Sequence, residues 1–286
     1  MQKASLHTVL RLSGFLALAA LAMAGSGLLS GALFSMLAIA PDAALATWMY
    51  LVIVSGLLVC ATWFALRIDR HGFAVLGLAF TRRRVRELIV GAGVGAMAFG
   101  ALTVLSAWWA GADWQVDWTN GLRAALLGLP LALLMLLPEE LVFRGYAFRQ
   151  LQALWGARVA LVLSSLAFGV YHVLGSGDWA MGAAFRFVMP VVGGLVFGYA
   201  LLRTGGLAMP IGLHLGGNWI QSSILGLGRE PGATLWAAPL NAEQVRALSA
   251  PDVIPHVPYL LAMLLLGAFV MMWRPEPATP RPLTPR

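Results

Sequence analysis

Eight long windows of this 286-residue chain hold no Asp, Glu, Lys or Arg: residues 12–41, 43–66, 88–112, 124–138, 159–177, 187–202, 204–228 and 257–273. A hydrocarbon layer ~30 Å thick is crossed by about 20 apolar residues of helix. Within it every backbone N–H and C=O must be paired internally, so a spanning chain is either helical or a closed barrel. A barrel alternates apolar and polar residues over short segments, whereas these windows are continuous. The sequence therefore predicts an all-α fold, a polytopic membrane helix bundle of about eight transmembrane helices. Composition excludes a soluble domain, since 60% of residues are hydrophobic and 11% charged. The bundle is expected to form one domain over residues 1–273, with a Pro-rich disordered tail over 274–286.

The first window has 30 uncharged residues, too many for the apolar core of a cleaved signal peptide, and is read as a retained span. Of the 19 basic residues, only Arg123, Arg186, Arg229 and Arg246 fall in loops on one side; the other 15 lie in the termini and the alternate loops. Basic residues accumulate on the cytoplasmic side, so both termini are expected there. The net charge of +7 is then a topology signal, and so is the run Arg82–Arg84, rather than a mark of a nucleic-acid partner. The expected partner at this level is the lipid bilayer. Cys60, the single cysteine, lies mid-span and forms no internal disulfide. A stock of 18 Arg against one Lys points to a GC-rich bacterial genome and hence to a bacterial inner membrane.

Segment 229–256, with Pro231, Pro251 and Pro255, reads as an outer loop lying against the membrane. The stretch GAGVGAMAFG from Gly91 is glycine-rich but sits inside a span, so Gly91 and Gly95 suit close helix packing rather than a nucleotide.

Windows four and six run to only 15 and 16 residues and reach spanning length only if flanking charges stay inside the helix. The fourth leads into LPEELVFRGY, residues 137–146. A carboxylate within a span costs at least ~2.5 kcal/mol on insertion scales and is a functional candidate by default. Glu140 and Arg144, four apart with the acid first, can pair on one helix face, which leaves Glu139 facing a polar interior. The simpler reading, a helix end snorkelling to water, is open for these residues alone. Depth arithmetic favours a site. With a turn near Gly156, Glu139 lies 17 residues before it and His172 lies 16 after it, at one level of an antiparallel hairpin. Phe168 shares a face with His172. In the seventh window His214 shares a stripe with Asn218, and Gly216 and Gly217 between them permit close approach of another helix or a substrate chain. Pro138 and Pro210 free the carbonyls of Leu134 and Gly206, where water can bind.

Together Glu139-Glu140-x-x-x-Arg144, Phe168-x-x-x-His172 and His214-x-x-x-Asn218 resemble the three motifs of the CPBP family, the CAAX prenyl protease type II and bacteriocin-processing (Abi) intramembrane proteases, over residues 121–221. The resemblance implies peptide-bond hydrolysis in a membrane cavity, with a peptide or membrane-protein substrate as partner. Glu139 with His172 would activate water, and His214 with Asn218 would stabilise the oxyanion. Glu140 and Arg144 would orient the others, and Phe168 would pack. Glu139, His172 and His214 also offer one oxygen and two nitrogens to a catalytic Zn2+. The histidines come from separate spans and there is no HExxH helix, which favours a metal-free mechanism. A non-proteolytic membrane binding or immunity protein using the same polar cavity is the alternative. A transporter or proton relay would also place carboxylates in spans, but there is no inverted repeat, and a relay leaves Asn218 unexplained.

Overall fold

The computed structural model describes residues 2–176, 183–249 and 256–274. Long apolar runs fold into α1 (Gln2–Met36), α2 (Ala44–Ile68) and α3 (Arg82–Ala110). Then follow α4 (Asn120–Glu139), a π-helical segment (Glu140–Gly145) and α5 (Tyr146–Ser176). The chain continues through α6 (Ala183–Thr204), α7 (Ala208–Trp219), a second π segment (Ile220–Ile224), α8 (Ala242–Ser249) and α9 (Val257–Met272).

The expected number of spanning helices needs correction. Five helical stretches among the described residues are long and apolar enough to cross a membrane: Leu6–Met36, Ala44–Ile68, Arg82–Ala110, Asn120–Leu174 and Ala184–Thr204. Windows four and five belong to the single stretch Asn120–Leu174, whose 55 residues would extend about 80 Å if straight. Gly156 breaks it, with φ 83° and ψ 171°, a conformation open to glycine and strained for other residues. The arms fold back on one another, so that Ser164 Oγ donates to the Phe143 carbonyl. The seventh and eighth windows form shorter helices, α7 of 12 residues continued by its π segment, and α9 of 16.

The helix ends gather at two poles. At one pole Arg11 of α1 pairs with Asp69 after α2 at 3.1 Å. Arg83 of α3 donates to the Thr204 carbonyl at the end of α6 (2.9 Å), and Arg203 to the Met271 and Trp273 carbonyls at the end of α9 (3.0 and 2.8 Å). At the other pole β1 (Gln115–Val116), β2 (Leu225–Leu227) and β3 (Trp236–Ala238) form a small sheet ordered β1-β3-β2. The β1/β3 pair is antiparallel and the β2/β3 pair parallel. Segment 229–256, read as irregular, thus carries β3 and α8. The tail from 275 onward lies outside the described residues.

Small residues decide which helices touch. A Cβ on Gly95 of α3 would strike the backbone of Leu213, and one on Gly216 of α7 the backbone of Ala92. The expected close approach is therefore between helices, α3 against α7, with backbones nearer than any side chain permits. Among described residues Ser55 Oγ donates to the Leu134 carbonyl (2.7 Å), and Thr204 Oγ1 shares its single proton between the carbonyls of Ala200 (2.8 Å) and Gly206 (3.1 Å). Hydroxyls of neighbouring segments thus reach the carbonyls that the prolines free. Leu136, Leu141, Phe148 and Leu207 pack the core on the loop side of the charged motif.

Candidate active site

Glu139 and Glu140 lie where α4 passes into its π segment. A π turn inserts an extra residue per hydrogen-bonded ring and redirects the side chains around it, a distortion that recurs at functional sites. Here it spans Glu140 to Arg144, both of them fully buried. Arg144 Nη1 donates to Glu140 Oε1 at 3.3 Å. The guanidinium also lies over the Phe168 ring, 4.0 Å from its centroid, and 5.7 Å from that of Phe197. Burying two charges is expensive, and it is offset here by their pairing and by the aromatic faces. Glu140 Oε2, Arg144 Nε and Arg144 Nη2 are buried without a hydrogen-bond partner among the described residues.

α7 brings His214 to this pair. Its Nδ1 lies 2.9 Å from Glu140 Oε1, and its Nε2 lies 3.7 Å from Glu139 Oε2. The imidazole is thus held between the two consecutive glutamates and stacks on Phe197 of α6 at 5.0 Å and 27°. An ionised carboxylate only accepts, so Nδ1–H donates to Glu140 and Nε2 is turned toward Glu139. Glu139 is more open than its neighbour, its side chain retaining 18% exposure against 0% for Glu140.

His172 enters from the returning arm of α5. Its Nδ1 lies 2.9 Å from the Phe168 carbonyl, which can only accept, so Nδ1 carries a proton and Nε2 is the acceptor of the neutral ring. Phe168 stands edge-on between the two imidazoles, 4.4 Å from His172 and 6.4 Å from His214. Glu139 has His214, His172, Arg144 and Glu140 as its titratable neighbours. The direct approach it makes among described residues is to His214, where the hairpin arithmetic had pointed to His172. Asn218 follows His214 by one turn of α7 and is half-buried; its carbonyl accepts from Ser222 Oγ, and its amide has no hydrogen-bond partner among the described residues.

These residues come from one segment of the chain. Residues 121–220 match the family model described as "Type II CAAX prenyl endopeptidase Rce1-like". Over that segment the chain is similar to the CPBP/Abi family. The match covers 100 of 286 residues and includes all seven motif residues named from the sequence. No curated protein and no solved structure matches the chain.

A zinc site at Glu139, His172 and His214 would need the three side chains gathered about one point. Among the described residues no three His, Cys, Asp or Glu side chains gather as a metal site requires. The three do not form a ligand set as they stand.

Sequence reasoning missed the Glu140–His214 hydrogen bond, the aromatic support of Phe197 and the neighbourhood of Tyr171. The Tyr171 ring packs 5.4 Å from both Phe143 and His172. A phenol beside an intramembrane histidine was a visible signal for Tyr171. Nothing local marks Phe197, which matters because α6 faces α7.

Proposed function

We propose that the protein is an intramembrane endopeptidase that hydrolyses a peptide bond of a membrane-associated substrate, with Glu139 as general base. The observation that carries this reading is the partly exposed Glu139 carboxylate 3.7 Å from the His214 imidazole, with His172 among its titratable neighbours, within an otherwise apolar bundle. Four polar side chains incur the insertion penalty together, and their arrangement supplies the parts that amide hydrolysis needs.

In this mechanism Glu139 takes a proton from water while the Nε2 lone pair of His172 holds the same water in line. The oxygen attacks the scissile carbonyl carbon, and negative charge develops on the carbonyl oxygen. Asn218 Nδ2–H and His214 Nε2–H face that oxygen. Because Nδ1–H is committed to Glu140, His214 offers a donor at Nε2 only when both ring nitrogens carry protons. In this role His214 is held by its Nδ1–H bond to Glu140 and presents a second N–H to the oxyanion. As the C–N bond breaks, Glu139 returns its proton to the leaving amine. Basic-residue bias puts the Arg-rich pole at the cytoplasm of a bacterial inner membrane, where prenylated substrates are not expected.

The test compares membrane peptides by mass spectrometry from cells carrying the active protein and cells carrying Glu139→Ala at equal abundance. Cleavage products present with the first and missing with the second are expected. Identical peptide sets, together with a biological phenotype that survives the substitution, would favour the non-proteolytic binding role instead.

A further inference from the structure

The cytoplasm-assigned pole carries a second cluster, unrelated to the glutamates. Arg82, Arg83, Arg84 and Arg86 begin α3, with no acidic residue in its first turn. That is the unfavourable sign, because a helix N-terminus already bears about half a positive charge. Buried Glu87 answers two of them, accepting from Arg83 Nε at 2.9 Å and Arg84 Nη1 at 2.6 Å. Arg83 and Arg84 also cap α6 through the Thr204 carbonyl, at 2.9 and 3.1 Å.

Arg149 of α5 is left over. Its Nη2 shares the Gly205 carbonyl with Arg84 Nη2, at 3.5 and 3.3 Å, and the former is at the limit of a hydrogen bond. Its Nε is buried without a partner among the described residues, and the charged neighbour it senses is the Arg84 guanidinium. Helix capping accounts for Arg83 and Arg84 but gives Arg149 no anion. Glu87 thus serves two guanidiniums, and a third, that of Arg149, meets Arg84 across the Gly205 carbonyl with no carboxylate of its own among the described contacts.

We propose that Arg84 and Arg149 form a binding site for the phosphate of an anionic phospholipid. The fork of a guanidinium matches phosphate oxygens, and two forks from different helices can hold one headgroup. A free phosphate would satisfy the same chemistry. The lipid is favoured by position, since the site lies at the end of the apolar helix α3, and Phe80, two residues before Arg82, is 99% exposed and suited to the acyl boundary. A bound headgroup would tie α3 to α5 across the turn between α6 and α7. α5 continues the segment bearing Glu140, and α7 bears His214, so the lipid would brace the helices that carry the candidate site. Binding itself does not depend on the protein being a protease.

The test uses the full chain in neutral detergent, presented with equimolar phosphatidylglycerol and phosphatidylcholine and examined by native mass spectrometry. Phosphatidylglycerol is expected to be retained at least about fivefold over phosphatidylcholine, the effect of roughly one basic residue at a membrane surface. Arg149→Gln should bring the ratio near one, Arg149→Lys should keep part of it, and Arg246→Gln at the opposite pole should leave it unchanged. Phosphatidylglycerol should also raise the Tm, and inorganic phosphate at equal concentration should not. Equal retention of the two lipids by the unsubstituted protein would overturn the proposal without recourse to any variant. So would undiminished preference in a folded Arg149→Gln protein, or a Tm rise reproduced by phosphate alone.

Discussion

Glu140 and His214 are 74 positions apart, yet the bond between them defines the site. Removing one member of a buried ion pair strands the other, at a cost of about 3–5 kcal/mol. Arg144→Met should therefore destabilise the protein by about that much in reversible detergent unfolding; a loss under ~1 kcal/mol would mean Glu140 is held by His214 alone. Asn218→Ala separates role from structure. Its amide supports no other described side chain, so stability should stay within ~0.5 kcal/mol. Turnover should fall by about 10²–10³, the effect of losing one oxyanion donor. Unchanged turnover would remove Asn218 from the mechanism. The motif residues were legible because charge and imidazole inside apolar windows are costly enough to need a reason. Phe197 was not, since a phenylalanine in a membrane helix is unremarkable until the helix across from it is known.

The pairing of α3 with α7 rests on glycines, and its strength can be measured by substitution. Gly95→Val places a side chain against the Leu213 backbone, which cannot rotate aside, and should cost at least ~1–3 kcal/mol. Gly93→Val, two residues away and facing open space, should be near neutral on the same thermal assay. Equal effects at both positions would show that the interface does not depend on close approach. A hydroxyl test belongs to α2 and α4: Ser55→Ala deprives the Leu134 carbonyl of its donor and should cost about 1–3 kcal/mol. The sequence marked the glycines and prolines as special positions. Which backbone would meet Gly95, and which hydroxyl would serve Leu134, depended on packing between segments far apart in the chain.

The two poles make a prediction for the bundle in a membrane. In a Cys60→Ser background, His71→Cys and Arg274→Cys should react with an impermeant thiol reagent from the same side, and Asp113→Cys from the opposite side. Labelling of His71→Cys and Asp113→Cys from one side would contradict the arrangement. Hydropathy alone determined that this chain is a multi-helix membrane bundle, because lipid leaves a long apolar segment few ways to satisfy its backbone. Motif spacing likewise determined which side chains belong together on each helix, since the α-helical period fixes neighbours three and four residues apart. Tertiary structure decided the rest. It turned His214 toward both glutamates and set Phe197 beneath it, whereas the turn at Gly156 was already legible in the spacing. Those outcomes follow from contacts between helices, where shape and not local period selects the partner.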